Sequence, residues 1–250
     1  MSNIPGPNDW QNAEIVAFCH ASDNIRQVTV RPDIWVPFKA GQHIDIRLTA
    51  DDGYQASRSY SIASPPHCEG VYDLLIERLP YGEVSGFIHE GAETGAQIEI
   101  KGPIGGHFVW ETPQYGSVLM LAGGSGIAPI LSMIRHRCAL ADPSPVGLIY
   151  AARHAAQLVA HRELLSSSEH DPNFAFEVFL SREIETSQHW RNRRLDAVSL
   201  AKFIESLSHP VEAVFVCGSN DFAEAATAGI VAAGVAPQLI RTERFGGAVT

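Results

Sequence analysis

The sequence predicts two domains in tandem. A six-stranded antiparallel Greek-key β-barrel is expected over residues 8–113, and an α/β domain with a doubly wound parallel sheet over 114–250. Three observations point there. The first half holds six short runs of alternating or β-branched residues, separated by turn signals. The second half changes period, and strand-like runs alternate with helical ones. The chain has 250 residues, 45% of them hydrophobic, which is enough for two cores of moderate size.

The barrel strands are expected at 14–21, 24–32, 42–49, 57–63, 71–78 and 96–102. Pro37, Gly41, "DDG" at 51–53 and "PP" at 65–66 punctuate them. Short antiparallel strands at this spacing suggest a barrel. One short helix interrupts at 83–90, with Val84, Phe87 and Ile88 on its apolar side. "TPQYG" at 112–116 marks the domain boundary. Beyond it "SVLMLA" (117–122) reads as a buried strand, followed by "GGSG" and an apolar helix at 126–139. Further strands are expected at 146–152, 174–181 and 213–218, with helices at 156–167, 198–207 and 221–233, before "PQLIRTERF" near the end. Such alternation puts helices on both faces of a parallel sheet.

Composition removes several function classes. The net charge of −10 disfavours nucleic acid and anionic membrane as partners. An acidic protein partner stays compatible through a local basic face. No apolar run is long enough to span a bilayer. "MSNIPGPNDW" lacks the basic and apolar regions of a secretory leader, so a cytoplasmic location is expected. Cys19, Cys68, Cys138 and Cys217 show no cluster or zinc spacing, and the eleven histidines contain no H-E-x-x-H pair. No metal site is expected.

Two stretches of the second half carry chemistry. "AGGSGIAP" (122–129) follows a buried strand and opens a helix. Gly123 and Gly124 permit a tight turn, and Gly126 permits close approach by another group. The free N–H groups and the positive helix end suit an anion such as a pyrophosphate. "VCGSNDF" (216–222) is a second strand ending in glycine before a helix. Ligands of such sheets bind beyond the carboxyl ends of the strands, so Cys217 and Gly218 are expected to line the same crevice. Taken alone, Cys217 reads first as a small buried apolar residue.

"RSYSIAS" (58–64) is an unusual mixture for a barrel strand. Arg58 offers a planar fork for a phosphate. Tyr60 offers an aromatic face and a hydroxyl, and Ser61 a small donor. Alternation puts Arg58, Tyr60 and Ile62 on one side of the strand and Ser59 and Ser61 on the other. A twist or bulge is then needed for Tyr60 and Ser61 to touch one ligand. "GEVSGF" (82–87) brings Gly82 and Ser85 to a helix start, another anion-suited place. Two phosphate-suited sites, one per domain, point to two dinucleotides that meet.

In this order the motifs resemble the ferredoxin–NADP reductase superfamily, in which an FAD-binding barrel precedes an NAD(P)-binding domain. R-x-Y-S matches at Arg58, Tyr60 and Ser61, and G-x-x-S at Gly82 and Ser85. G-G-x-G-x-x-P matches at Gly123, Gly124, Gly126 and Pro129, C-G at Cys217 and Gly218, and E-x-aromatic at Glu243 and Phe245. The resemblance runs from about residue 12 to 247. It implies that Arg58 holds the FAD pyrophosphate with Ser85 and the amides of that helix start, and that Ser59, Gly82 and Val84 belong to the same FAD-contacting stretches. It implies that Tyr60 packs on the isoalloxazine and that Ser61 sits near flavin N5, where hydride arrives. Cys217 would lie beside the nicotinamide C4, with Glu243 a polar partner in that pocket. Ser61, Cys217 and Glu243 are thus the candidate catalytic residues. Phe245 stands where plant members place a terminal Tyr over the flavin, although here "GGAVT" follows. Glu243 also reads as a solvated charge, and Phe245 as ordinary core.

"LSREIETSQHWRNRR" (180–194) bears on the nucleotide. The Ser181–Arg182 pair resembles the family's 2′-phosphate grip, with Arg191 a further cation for it. "YAARHA", after the second strand of the sheet, offers no acid for a ribose 2′-hydroxyl. These features favour NADPH. The stretch from Trp190 to Arg193, with Asn192 in place of Gly, is also similar to a W-x-G-R segment of NADH-using reductases. Read alone, the arginines form a solvated basic loop.

The resulting expectation is an FAD-dependent NAD(P)H oxidoreductase. It would pass hydride from NADPH or NADH to FAD and then single electrons to a separate carrier, a ferredoxin or an oxygenase component. A monomer is expected. Two alternatives stand beside it: a reductase of freely diffusing flavin, and an electron-transfer or redox-sensing subunit of a larger complex. The paired Arg58 and Gly82–Ser85 sites favour retained FAD over the first.

Overall fold

The structure is a computed structural model, and it describes residues 6, 8–111 and 116–245. The described chain divides into two compact units. The first runs to Trp110 and takes in Leu131–His136; the second holds the remainder from Glu111 onward. The expected boundary at 112–116 falls, apart from Gly116, outside the described residues.

The first unit is built on β1 (Trp10–His20), β2 (Ile25–Pro32), β3 (His43–Thr49), β4 (Gln55–Ser61), β5 (Tyr72–Glu77) and β6 (Gln97–Ile104). All pairings are antiparallel, in the order β4-β3-β6-β1-β2-β5. β6 returns to lie between the two hairpins, which gives the Greek-key connection. Just past β4, an Ile62–Leu74 bridge and an Ala63 N–H to Asp73 O bond of 2.7 Å join the two ends of the sheet. Alternate residues fill the interior: Ala13 and Ile15, Val28 and Val30, Ile44 and Ile46, Leu74 and Ile76, Ile98 and Ile100. A register shift between Ile15 and Ala17 moves the inward set of β1 by one, so that Phe18 packs on the core.

The expected helix at 83–90 is a short α-helix, α1 (Glu83–Gly86), running into a wider π-turn at Phe87–Gly91. Val84 and Ile88, four residues apart, are its buried anchors.

The second unit holds a five-stranded parallel sheet. Its strands are β7 (Ser117–Gly123), β8 (Val146–Ala152), β9 (Phe174–Leu180), β10 (Val211–Ser219) and β11 (Ile240–Phe245), in the order β11-β10-β7-β8-β9. The strand order reverses between β7 and β10. Helices α2 (Ile127–Ala139), α3 (His161–His170), α4 (Ala197–Glu205) and α5 (Asn220–Ala232) connect them. α4 and α5 cover the face that carries Leu119, Leu121, Val214 and Val216. Asp196 caps α4 by accepting the Ser199 N–H at 2.7 Å, and Ser219 caps α5 by accepting the Phe222 N–H.

Two elements depart from expectation. α3 begins at His161, not near 156, because Leu158 and Val159 are both buried and Ala160 takes a left-handed conformation, φ 53°. A short 3₁₀ turn at Ala155–Gln157 occupies the earlier stretch. "IRTERF" is a strand, β11, parallel to β10; its alternating charges hide the pattern of a buried strand. No helix among the described residues is long and apolar enough to cross a membrane.

Candidate functional site

In the first unit, β4 carries the candidate residues. Its pairing with β3 is unbroken from Gln55 to Ser61, with no bulge, so Tyr60 and Ser61 stand on opposite faces. Tyr60 packs against the barrel core, and burial pushes its phenol up to about 12 while the Arg58 charge pulls the other way. Arg58 is exposed. It donates to Ser57 O at 2.7 Å and has no carboxylate within 4 Å among the described residues. Ser59 is turned to β3, donating to Asp45 Oδ1 at 2.5 Å, and Asp45 also meets Lys101 Nζ at 2.9 Å. Ser61 is buried, and its partner in register is His43, whose imidazole burial holds below its ordinary value.

α1 packs against β3 and β4. Gly82 is its N-cap residue, and a Cβ there would lie 2.3 Å from Ser85 Oγ. Ser85 Oγ accepts the Leu79 N–H and donates to Gly82 O, both at 3.3 Å, so its hydroxyl is spent on the turn. Val84 and Ser85 are buried. The first-turn amides of any helix lack partners within it, so those of Glu83, Val84 and Ser85 are the donors this turn can offer an anion. The structure therefore groups Arg58 and Tyr60 on β4 with a helix start beside them.

In the second unit the glycine-rich turn lies at the reversal of strand order. Gly123 ends β7, Gly124 adopts φ 56°, and a 3₁₀ turn at Gly124–Gly126 leads into α2. A Cβ on Gly126 would sit 2.2 Å from Cys217 O and 2.8 Å from Gly218 N. The group approaching Gly126 is thus the backbone of β10, which brings Cys217 and Gly218 against the turn. Cys217 is fully buried; burial first, and the neighbouring Glu243 carboxylate second, push its thiol well above the ordinary value. Glu243 is its register partner on β11, and Phe245 stands beside Ser219; both are half-buried.

Ser181 and Arg182 are exposed just past β9. Their N–H groups donate to Ala152 O and Arg153 O, which stitches the ends of β8 and β9. Arg191 is placed differently. Its backbone bridges to β9 beside Phe179, and its guanidinium pairs with Glu177 at 3.5 Å. No bond joins it to the Ser181–Arg182 turn. Glu183 was not singled out by sequence reasoning. Its carboxylate accepts N–H groups from Ala155, Ile184 and Glu185, and these bonds hold it below the usual carboxylate range. Its position directly after Ser181–Arg182 was the available signal.

A closed antiparallel barrel is thus followed by a parallel sheet whose glycine-rich turn lies where the strand order reverses, the place where open α/β sheets take their ligands. Residues 14–110 match the oxidoreductase FAD-binding domain and residues 120–228 the oxidoreductase NAD-binding domain. The chain belongs to the ferredoxin–NADP reductase superfamily. It is 30% identical over 191 residues to the glycine betaine monooxygenase reductase subunit of Chromohalobacter salexigens, covering 75% of this chain and 50% of that protein. It is 28% identical over 238 residues to the phenol hydroxylase P5 protein of Acinetobacter pittii, covering 95% and 65%. The chain thus spans from half to just under two thirds of these curated relatives. Among solved structures, the ferredoxin NADP+ reductase of Neisseria gonorrhoeae with bound FAD and NADP shares the fold, with TM-score 0.77, 21% identity and coverage of 94% and 98%. A cytochrome P450 reductase of Amycolatopsis does so with TM-score 0.82, 23% identity and coverage of 95% and 70%.

Proposed function

We propose that the chain is an NAD(P)H-dependent flavoprotein reductase that feeds a separate one-electron carrier, a ferredoxin or an oxygenase component. The observation that carries this reading is the open cation Arg58 on β4 beside the free first-turn amides of α1. The FAD-bearing domain spans 8–113 and the nucleotide domain 114–250. Relatives named as reductase components of monooxygenases support the choice of acceptor.

The residues fit the two cofactors. When bound, FAD supplies the chemistry, accepting a hydride from the nicotinamide and releasing electrons one at a time. Arg58 and the amides of Glu83, Val84 and Ser85 hold the pyrophosphate, and Gly82 keeps that turn open. Ser85 contributes its amide, because its hydroxyl is engaged within the turn. Tyr60 presents its ring to the flavin and Ser59 braces β4 through Asp45; Ser61, on the opposite face of the unbroken strand, meets the flavin edge only when cofactor binding twists the end of β4. Gly124, in its left-handed conformation, opens the turn that binds the nicotinamide nucleotide, and Gly123, Gly126 and Gly218 let β10 and Phe222 pack closely against that turn. Cys217 remains a neutral thiol, Glu243 supplies the nearby polar group, and Phe245 shields the ring. Ser181 and Arg182 grip a 2′-phosphate, which favours NADPH; Arg191, tied to Glu177, plays a lesser part than its sequence position suggests. The protein acts as a cytoplasmic monomer and binds neither nucleic acid nor membrane.

The test is an absorption spectrum of the purified protein, then anaerobic titration with NADPH and with NADH. A yellow protein bleached by NADPH at lower concentration than by NADH is expected. With a ferredoxin added, cytochrome c reduction should accelerate strongly; equal rates with and without it overturn the acceptor reading. A colourless protein that reduces added FMN identifies a reductase of free flavin instead.

A further inference from the structure

β4 presents one face in steps of two residues. Its pairing with β3 is unbroken, so Tyr60, Arg58 and Ala56 follow one another on the same side, about 7 Å apart. Past Arg58 in that direction, Ala56 opens onto a crevice of 520 Å³, a volume in the range of small-molecule sites. All of its walls belong to the first unit. The floor is apolar: Ala56 from β4, Ile98 from β6, and Phe87 from the π-turn that continues α1. The ring of Tyr54, 57% exposed, stands in the wall at the foot of β4. Asn12 of β1 lines the crevice as well, and among the described residues its side-chain amide makes no hydrogen bond.

The charges of the walls decide what can enter. Among the described residues the sole cation lining the crevice is Arg47, and it is spent on Glu99 through two bonds of 2.9 and 2.6 Å. Glu83 adds a further carboxylate. A phosphate is therefore repelled. A flat, uncharged group with apolar faces and a hydrogen-bonding edge suits the place. A purine base has those properties: its faces pack on aromatic rings, and an Asn amide matches the donor and acceptor pattern of an adenine edge.

We propose that this crevice holds the adenosine half of FAD, with the base against Tyr54 and Phe87 and its polar edge on Asn12, so that the chain selects FAD over FMN. The inference rests on the reading that Tyr60 takes the flavin and Arg58 the pyrophosphate. It goes beyond that reading by assigning the far end of the cofactor, two residues further along β4, to a surface that would reject either of the other two parts.

The test measures dissociation constants of FAD, FMN and ADP for the apo full-length chain, by flavin fluorescence and calorimetry. Wild type, Ala50→Trp and Tyr54→Ala are compared. Ala50 is an exposed residue of the β3–β4 hairpin that lines the crevice, so a large side chain there fills the space without entering the core. Wild type should bind FAD about tenfold or more tightly than FMN, the scale of one stacked base. Ala50→Trp should weaken FAD and ADP by about tenfold and leave FMN unchanged. Tyr54→Ala should show the same pattern with a smaller loss. Photolysis of 8-azido-FAD on wild type should label the peptides that carry Tyr54 or Phe87, a readout that decides even where a variant fails to fold. Equal affinity of wild type for FAD and FMN overturns the proposal, as does label confined to other peptides. Failure of wild type to bind any flavin overturns the FAD reading and the proposal with it. Loss of FAD and ADP in Arg58→Ala, with Ala50→Trp at wild-type affinity, keeps the FAD reading and rejects the adenosine crevice alone.

Discussion

At the scale of single residues, burial decides more than residue type. Cys217 is a thiol at the foot of the candidate nicotinamide site, yet it is fully enclosed and its ionisation is suppressed. Only thiolate reacts with alkylating agents. At pH 8 the exposed Cys19 and Cys138 should be carbamidomethylated rapidly, whereas Cys217 should be modified only after denaturation; peptide mass spectrometry reads this directly. Tyr72 gives a second prediction. Its hydroxyl donates to Val36 O at 2.7 Å and accepts the Val36 N–H at 3.0 Å, and burial pushes it up to about 12. Tyr60 is raised similarly. A group whose pKa is raised by folding stabilises fully below its unfolded value and loses that contribution as pH rises through the folded one. The urea midpoint should therefore fall between about pH 10 and 12. Tyr72→Phe should lower stability at pH 7 by about 1 kcal/mol and flatten that alkaline fall.

At the scale of elements, α2 and α3 are tied by a charge pair. Arg137, near the end of α2 and only 3% exposed, donates to Ser144 O at 2.8 Å and to Asp171 Oδ2 at 2.5 Å. Burial pushes the Asp171 carboxyl up, but the bonds from Arg137 and the Asn173 amide outweigh it and leave the group below its ordinary value. A carboxyl depressed by folding stabilises above its unfolded pKa and loses that contribution as pH falls through the folded value, so the loss begins below about pH 4. Arg137→Met should cost about 2 kcal/mol at pH 7, less than a fully buried pair because Asp171 reaches solvent. Its melting temperature should depend less on pH below 4 than that of wild type. Neither partner stands out in the sequence, since nothing in "SMIRHRC" or "EHDPNF" shows that they meet. The elements themselves were more legible. Runs of alternating or β-branched residues between turn signals located the barrel strands, and apolar runs located β7 to β10. α3 was misplaced because "AAQLVAHREL" has helical composition while tertiary burial of Leu158 and Val159 overrides it. β11 went unread because a half-buried edge strand of alternating charges has no apolar signature.

At the scale of the whole molecule, the two-domain order was legible because the hydrophobic period changes once, near the expected boundary. Glycine-rich turns were legible as turns, but their neighbours were not. That Gly126 meets the backbone of Cys217 and Gly218 requires knowing which strand lies beside β7. Each unit has its own core, so each ligand should stabilise its own unit. FAD at a hundredfold excess over its dissociation constant should raise the stability of the first unit by about 2.7 kcal/mol, and NADP+ should act on the second. Hydrogen exchange, resolved by peptide, checks whether protection rises separately in the two. The barrel closes through a single residue bridge, Ile62 to Leu74, where every other neighbouring pair of strands shares a full ladder. That seam runs alongside Arg58 and Tyr60. Mild chaotrope should unzip the barrel there first, so the prosthetic group can be stripped and replaced by a synthetic analogue while the rest of the protein stays folded.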